Sequence, residues 1–378
     1  METCINYFPE NPNKIDSLID LGLKYGLDPY GSVADFGLIT NMVEFDPLNL
    51  SKGISINWTY FDERVEDLFN RGMNHIKLDF YPGIDCRNNG LAVVNGSKDN
   101  YLTLIQWFYG NASEHLRTKY TPWGTNWEEE CITQHSDEPD PRIDPYSIEA
   151  FHKLYKIIDN VSNIKTFQTF AYEPAFDAWL DCLDIWVLTP DSFSIEVANK
   201  IRASGREVWT YSNGDNFPGQ DTDLRTPLIM SRLRGWINFE YNITGFLDWI
   251  FFWNYNDAGR SGCGYDGRGD GTEIVAISSG YAATLRLTAF RDGLEDYELL
   301  KQLEQGLKNA EILGKTETQE YKEARVVREE IRNALQEQPT DYKWKIPTIT
   351  RKFNHTPSLY ITLRINAGNA LENLIKIL

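Results

Sequence analysis

The run Thr133-Gln134-His135-Ser136-Asp137-Glu138-Pro139-Asp140 places two adjacent carboxylates directly before a proline. Neighbouring carboxylates repel unless one is protonated or each has its own partner. Glycoside cleavage uses that arrangement: one carboxyl stays protonated to donate to a leaving oxygen, and the other stays ionised to stabilise positive charge. The dipeptide alone is weak evidence, because the chain carries 55 acidic residues and Asp62-Glu63 repeats the pairing. Its position adds weight. Residues 130–133 can extend as a strand, and 146–158 carry apolar residues at helical spacing, so the pair sits where a strand runs out into a loop. Pro139 has no N–H for a ladder and biases the preceding residue away from helical dihedrals, so Glu138 is expected to be extended at the strand's end.

The elements that must position this pair follow a helix–strand rhythm. Helices are expected over 13–25, 58–71, 101–120 (interrupted near Gly110), 145–161, 193–204 and 224–241. Strands are expected over 27–34, 75–82, the segment leading into Asp137, 164–171, 183–188, 207–213 and 244–255. Strands separated by helices argue for parallel pairing in one α/β domain. A short strand over 4–8 completes a (β/α)8 TIM-like barrel; without it the first strand is missing. The barrel is expected over 1–310, with a C-terminal helical extension over 311–378 packed on it. Catalytic groups of such barrels sit at the C-terminal ends of the strands. A doubly wound sheet is the alternative, but no Walker-type loop is present to give it a nucleotide.

Residues 256–271 form a glycine-rich loop leaving the same end as Glu138, a length usually reserved for function. Further on, Phe290, Leu294, Tyr297, Leu300, Leu303 and Leu307 recur at the spacing of one buried helical face. Residues 321–335 read as a charge-laced surface helix, and 358–378 as a segment apolar enough to dock on the body.

Composition excludes several classes. With a formal net charge of −18 and no basic cluster, the chain repels phosphate backbones and anionic lipid, so nucleic acid is not an expected partner. No apolar run is long enough to span a bilayer. The N-terminus lacks the basic and apolar regions of a signal peptide, which read literally means cytoplasmic. Glycosylation acceptor patterns at Asn49, Asn57, Asn95, Asn111, Asn160, Asn242 and Asn354 instead suit a secreted product whose leader is missing. The cysteines and histidines are scattered with no CxxC spacing, so neither a metal nor another cofactor is expected. Oligomeric state is left open.

Downstream motifs are more specific. The run Leu285-Arg286-Leu287-Thr288-Ala289-Phe290-Arg291-Asp292-Gly293-Leu294-Glu295-Asp296-Tyr297-Glu298 resembles the C-terminal signature of the glycoside hydrolase family 123 catalytic domain, the β-N-acetylgalactosaminidases, and of the uncharacterised domain family grouped with it. Leu183-Asp184-Ile185-Trp186, Glu207-Val208-Trp209-Thr210-Tyr211, 232–236 and Gly245-Phe246-Leu247-Asp248-Trp249 resemble that family's strands and helix, and Asp137-Glu138-Pro139 falls where it keeps Asp-Glu-Pro. The likeness is collinear from about residue 13 to 307. It implies hydrolysis assisted by the substrate, whose 2-acetamido oxygen attacks the anomeric carbon in place of an enzymic nucleophile.

On that resemblance Glu138 is the general acid/base and Asp137 orients the acetamido group. Trp209, Tyr211 and Trp249 wall the sugar subsites, with Tyr172, Trp253, Asn254 and Asp79 completing the substrate-binding set. The partner is a glycan or glycoconjugate ending in GalNAc, though the residues do not separate GalNAc from GlcNAc.

Two features depart from the family. It carries a β-sandwich before the barrel, which this chain does not show, and it has Tyr-Pro-Gly where this chain has 276–280. Two other readings stay open. One is a conventional carboxylate pair, with Glu173 or Asp79 beside Glu138, acting on sugars without the acetamido group. The other is a sugar-binding pseudoenzyme. The conspicuous 291–298 run reads as structural, with Arg291 pairing Glu295 and with Leu294 and Tyr297 facing inward.

Overall fold

The computed structural model describes residues 2–7, 15–28, 39, 42–82, 97–136, 138–139, 145–170, 179–189, 192–212, 228–252, 273–277, 280–335 and 356–378. The chain divides into two compact units. One comprises Thr3–Tyr211 with Leu247–Trp249, and the other Met1–Glu2, Ser212–Phe246 and Ile250–Leu378. The helices after 310 thus belong to a unit that already begins at Ser212.

The first unit runs β1 (Glu2–Tyr7), α1 (Ile15–Lys24), the antiparallel pair β2 (Val43–Phe45) and β3 (Ile54–Ile56), α2 (Thr59–Asn70), β4 (Ile76–Lys77), α3 (Lys98–Leu116), β5 (Cys131–Thr133), α4 (Pro145–Val161), β6 (Lys165–Phe170), β7 (Ile185–Leu188), α5 (Ile195–Ala203) and β8 (Glu207–Ser212), and it takes in the middle of β9 (Gly245–Phe252). Among the described residues the main sheet has seven strands in the order β1-β9-β8-β7-β6-β5-β4. From β4 to β8 every pairing is parallel, with Ile76 opposite Cys131, Thr133 opposite Thr166, Phe170 opposite Leu188, and Leu188 opposite Thr210. The parallel strands curl into a half-barrel. All four residues of β7, Ile-Trp-Val-Leu, are buried, as expected of a parallel strand covered on both faces.

Three local expectations change. Helix α3 passes through Gly110 without interruption. A glycine costs about 1 kcal/mol in a helix interior, less than the burial of Tyr101, Leu104, Ile105, Phe108, Tyr109 and Leu116 on its inner face returns. Strand β4 is far shorter than 75–82. The Leu78 N–H still donates to the Ile132 carbonyl at 2.8 Å, but at the next position the Asp79 carboxylate takes the Gln134 N–H at 2.9 Å, so a side chain replaces the ladder. The expected strand over 27–34 and the loop over 256–271 fall largely or wholly outside the described residues.

The second unit holds α6 (Ile229–Glu240), the antiparallel pair β10 (Ile274–Ile277) and β11 (Gly280–Ala283), α7 (Leu285–Ile312), α8 (Gln319–Leu335) and α9 (Pro357–Ile377). Helices α6 and α7 cross at glycines: a Cβ on Gly235 would overlap the Gly293 carbonyl, and one on Gly293 would overlap the Arg232 carbonyl. One turn on, the Asp296 carboxylate is fully buried. It accepts from Arg232 Nε at 2.6 Å, Trp236 Nε1 at 2.7 Å and Arg364 at 3.0 Å. Gly293, Asp296 and Tyr297 therefore form the inward face of the signature run, and Leu294, expected inside, is only half-buried. Arg291 and Glu295 do lie together, at 3.6 Å on the surface. Helix α9 docks through Tyr360, Leu363, Ala367, Ala370 and Leu374, and the Tyr360 ring meets Trp236 edge-on. Among the described residues no helix is long and apolar enough to cross a membrane.

Candidate active site

The chain leaves β5 at Thr133 and reaches Glu138 at the C-terminal edge of the sheet, the end where such barrels place catalytic groups. Glu138 is half-buried, and its backbone is left-handed, with φ +43°, where an extended residue was expected. That conformation costs about 1–3 kcal/mol for a residue bearing a Cβ. Tertiary hydrogen bonds override the local preference set by Pro139. The Glu138 N–H donates to Thr169 Oγ1 at 3.1 Å, and Glu138 Oε1 accepts the Tyr211 hydroxyl at 2.7 Å. Thr169 lies near the end of β6 and Tyr211 near the end of β8, so two further strand ends fix the carboxylate.

Asp79 lies deeper. It is 4% exposed and already engaged: Lys77 Nζ at 2.9 Å and the Tyr81 hydroxyl at 3.2 Å reach Oδ2, while the Gln134 N–H at 2.9 Å and Thr133 Oγ1 at 3.3 Å reach Oδ1. Trp209 is fully buried. Its Nε1 points back to Glu207 at the start of β8, and its ring lies edge-on to His75. The structure thus brings Tyr211 to Glu138 and leaves the Trp209 indole on the N-terminal side of the strand. Asp137, Tyr172, Glu173, Trp253 and Asn254 lie outside the described residues, and of Trp249 only the backbone, within β9, is described.

Under the loop that carries Glu138 sits a buried aromatic cluster. Tyr109 Oη lies 2.9 Å from the Leu78 carbonyl, 2.6 Å from Thr133 Oγ1 and 2.7 Å from His135 Nε2. With the phenol proton given to Leu78, His135 must donate from Nε2, and its Nδ1 has no hydrogen-bond partner among the described residues. A proton there would have no acceptor among the described residues. Burial accordingly pushes the His135 pKa down to about 4, with Asp79 opposing and Lys77 assisting. Burial and the Asp79 charge hold the phenols of Tyr81 and Tyr109 well above their ordinary range.

The family model for the glycoside hydrolase 123 catalytic domain matches residues 54–303. The chain belongs to that family. Among solved structures, a family 123 glycoside hydrolase from Clostridium perfringens, described for glycolipid glycan hydrolysis, superposes with a TM-score of 0.58 at 15% identity, covering 99% of this chain and 69% of that one. A glucosidase from Croceicoccus marinus (TM-score 0.42, 12% identity, 67% of this chain and 55% of that one) and an endo-β-1,4-mannanase from Thermotoga petrophila (0.41, 12%, 79% and 76%) lie further off. No curated protein matches the chain. Family 123 membership makes the protein a glycoside hydrolase and its substrate a glycan.

Two buried polar residues behind Glu138 escaped the sequence reading. Gln168 and Thr169 are buried in β6, and polar side chains inside a parallel strand require partners; that requirement was the available signal. Spacing also hid one group of metal-ligand type, His152, Asp181 and Cys182, whose ligand atoms lie within 4.8 Å of one another. Lys156 already pairs with Asp181 at 2.8 Å and, with His152, holds that carboxyl down at about 2, while burial lifts the Cys182 thiol to about 12. At neutral pH the group is an ion-paired carboxylate beside a protonated thiol.

Proposed function

We propose that the protein is a retaining exo-β-N-acetylhexosaminidase acting on GalNAc-terminated glycans through a substrate-derived oxazoline. Glu138 protonates the leaving oxygen and then activates water. Asp137 orients the acetamido nitrogen and stabilises the positive charge that develops there as the ring closes. The observation that carries this reading is the Glu138 carboxylate at the sheet's C-terminal edge, with the Tyr211 phenol donating to Oε1. A donor there orients the group and stabilises the carboxylate formed once the proton has been given. Asp79, with both oxygens engaged, is a poor candidate for a conventional nucleophile. Trp249, Trp253, Asn254 and Tyr172 are assigned to the sugar subsites.

The test is a panel of aryl β-glycosides with and without the 2-acetamido group, with product stereochemistry read by NMR. Hydrolysis of the acetamido sugars with retention, GalNAc ahead of GlcNAc, supports the proposal. Turnover confined to sugars lacking the group points instead to a conventional nucleophile such as Glu173. Binding without turnover points to a pseudoenzyme.

A further inference from the structure

The polar residues inside β5 and β6 converge on two backbone atoms of the acid's loop. Ser136 O accepts from Gln134 Nε2 at 2.8 Å and from Gln168 Nε2 at 3.0 Å. The Glu138 N–H donates to Thr169 Oγ1, which also accepts from Gln134 Nε2 at 3.0 Å. Behind them, the Tyr155 hydroxyl donates to Gln168 Oε1 at 2.9 Å and accepts the His135 N–H at 3.1 Å, which fixes the direction of the carboxamide. These side chains are buried: Gln168 and Tyr155 fully, Thr169 at 2% exposure and Gln134 at 8%.

Two carboxamides in a barrel core are unfavourable unless every donor is used, and apolar residues would fill the same space without that demand. Here each NH2 group gives one hydrogen bond to Ser136 O in the loop that carries Glu138 and the other to Thr169, Gln134 to its Oγ1 and Gln168 to its carbonyl at 3.0 Å. That loop includes Glu138, the backbone departure that local sequence does not favour. We infer that Gln134, Gln168 and Thr169 are positioning residues whose buried hydrogen bonds hold Glu138 in its left-handed conformation and so aim its carboxyl at the leaving oxygen. The inference rests on Glu138 being the general acid of the proposed reaction. A displacement of about 1 Å in a reacting group is worth on the order of a hundredfold in rate, so the effect falls on turnover while groups that bind the sugar stay in place.

The experiment compares Thr169→Val, Thr169→Ser, Gln134→Met and Gln168→Met with wild type on an acetamido aryl glycoside, alongside amide hydrogen exchange at Glu138. Thr169→Val and Gln168→Met should lose roughly ten- to a hundredfold in kcat with KM within about threefold, and exchange at Glu138 should quicken at least about tenfold. Thr169→Ser, which keeps the hydroxyl, should restore both. Wild-type kcat together with wild-type protection in Thr169→Val and both Gln→Met variants would overturn the inference. So would a fall in melting temperature with kcat per folded enzyme unchanged. If wild type hydrolyses no aryl glycoside, the glycosidase reading fails by itself and exchange decides the positioning: faster exchange in Thr169→Val upholds it, and unchanged exchange refutes it.

Discussion

His135 should make the fold sensitive to mild acid, and the size of the effect follows from its surroundings. Tyr109, Tyr81 and Tyr155 enclose the ring, Asp79 and Lys77 are the nearby charges, and Nδ1 faces no acceptor among the described residues. In the unfolded chain the imidazole binds a proton below 6.5, and in the folded chain only below about 4. Between those values the unfolded state carries more protons, so stability falls as pH falls. That gap corresponds to a loss of about 2 kcal/mol by roughly pH 5 and about 3 kcal/mol at the plateau below the folded pKa. Other groups titrate over the same range, so the comparison must be with a variant that lacks this ionisation. His135→Gln keeps a donor for Tyr109 but cannot charge. Urea unfolding followed by tryptophan fluorescence, from roughly pH 7.5 to pH 4.5, should show wild type losing about 2 kcal/mol more than His135→Gln by pH 5. Parallel curves for the two proteins would refute the argument, whatever their absolute stabilities.

Other consequences are checked more directly. Glu138→Gln should lose about two to four powers of ten in kcat on poor leaving groups and less on nitrophenyl glycosides; equal losses would show that Glu138 is not the acid. Asp137→Asn should depress turnover of 2-acetamido substrates strongly and weaken inhibition by a thiazoline mimic of the oxazoline, because charge at the developing cation is what distinguishes transition state from ground state. A covalent sugar adduct trapped on Glu173 would contradict both. Gly293→Ala should destabilise by about 1–3 kcal/mol in urea unfolding, since its Cβ meets backbone across the helix crossing. Gly110→Ala, with open space around it in mid-helix, should stabilise by about 0.5–1 kcal/mol.

The helix–strand order and the parallel sheet were legible because they rest on local periodicity, and β5, β6, β7 and β8 appear within a residue or two of where apolar spacing put them. What depended on partners distant in sequence was not legible. Asp79 ends β4 by capping an N–H that lies 55 positions further along the chain. The 291–298 run could be recognised as a motif, yet its reason, a buried Asp296 held by Arg232, Trp236 and Arg364, appears only when three helices come together. Glu138 is the sharpest case. The rule drawn from Pro139 asked for an extended residue. The left-handed backbone is set by Thr169, 31 residues on, and the carboxyl by Tyr211, 73 residues on. Departures from local preference persist only where the surrounding structure over-determines them. Here it does so through side chains that cannot be replaced by apolar ones without leaving Ser136 O or the Glu138 N–H short of a partner. The place where local reasoning fails is therefore the place where β5, β6 and β8 jointly hold one carboxyl.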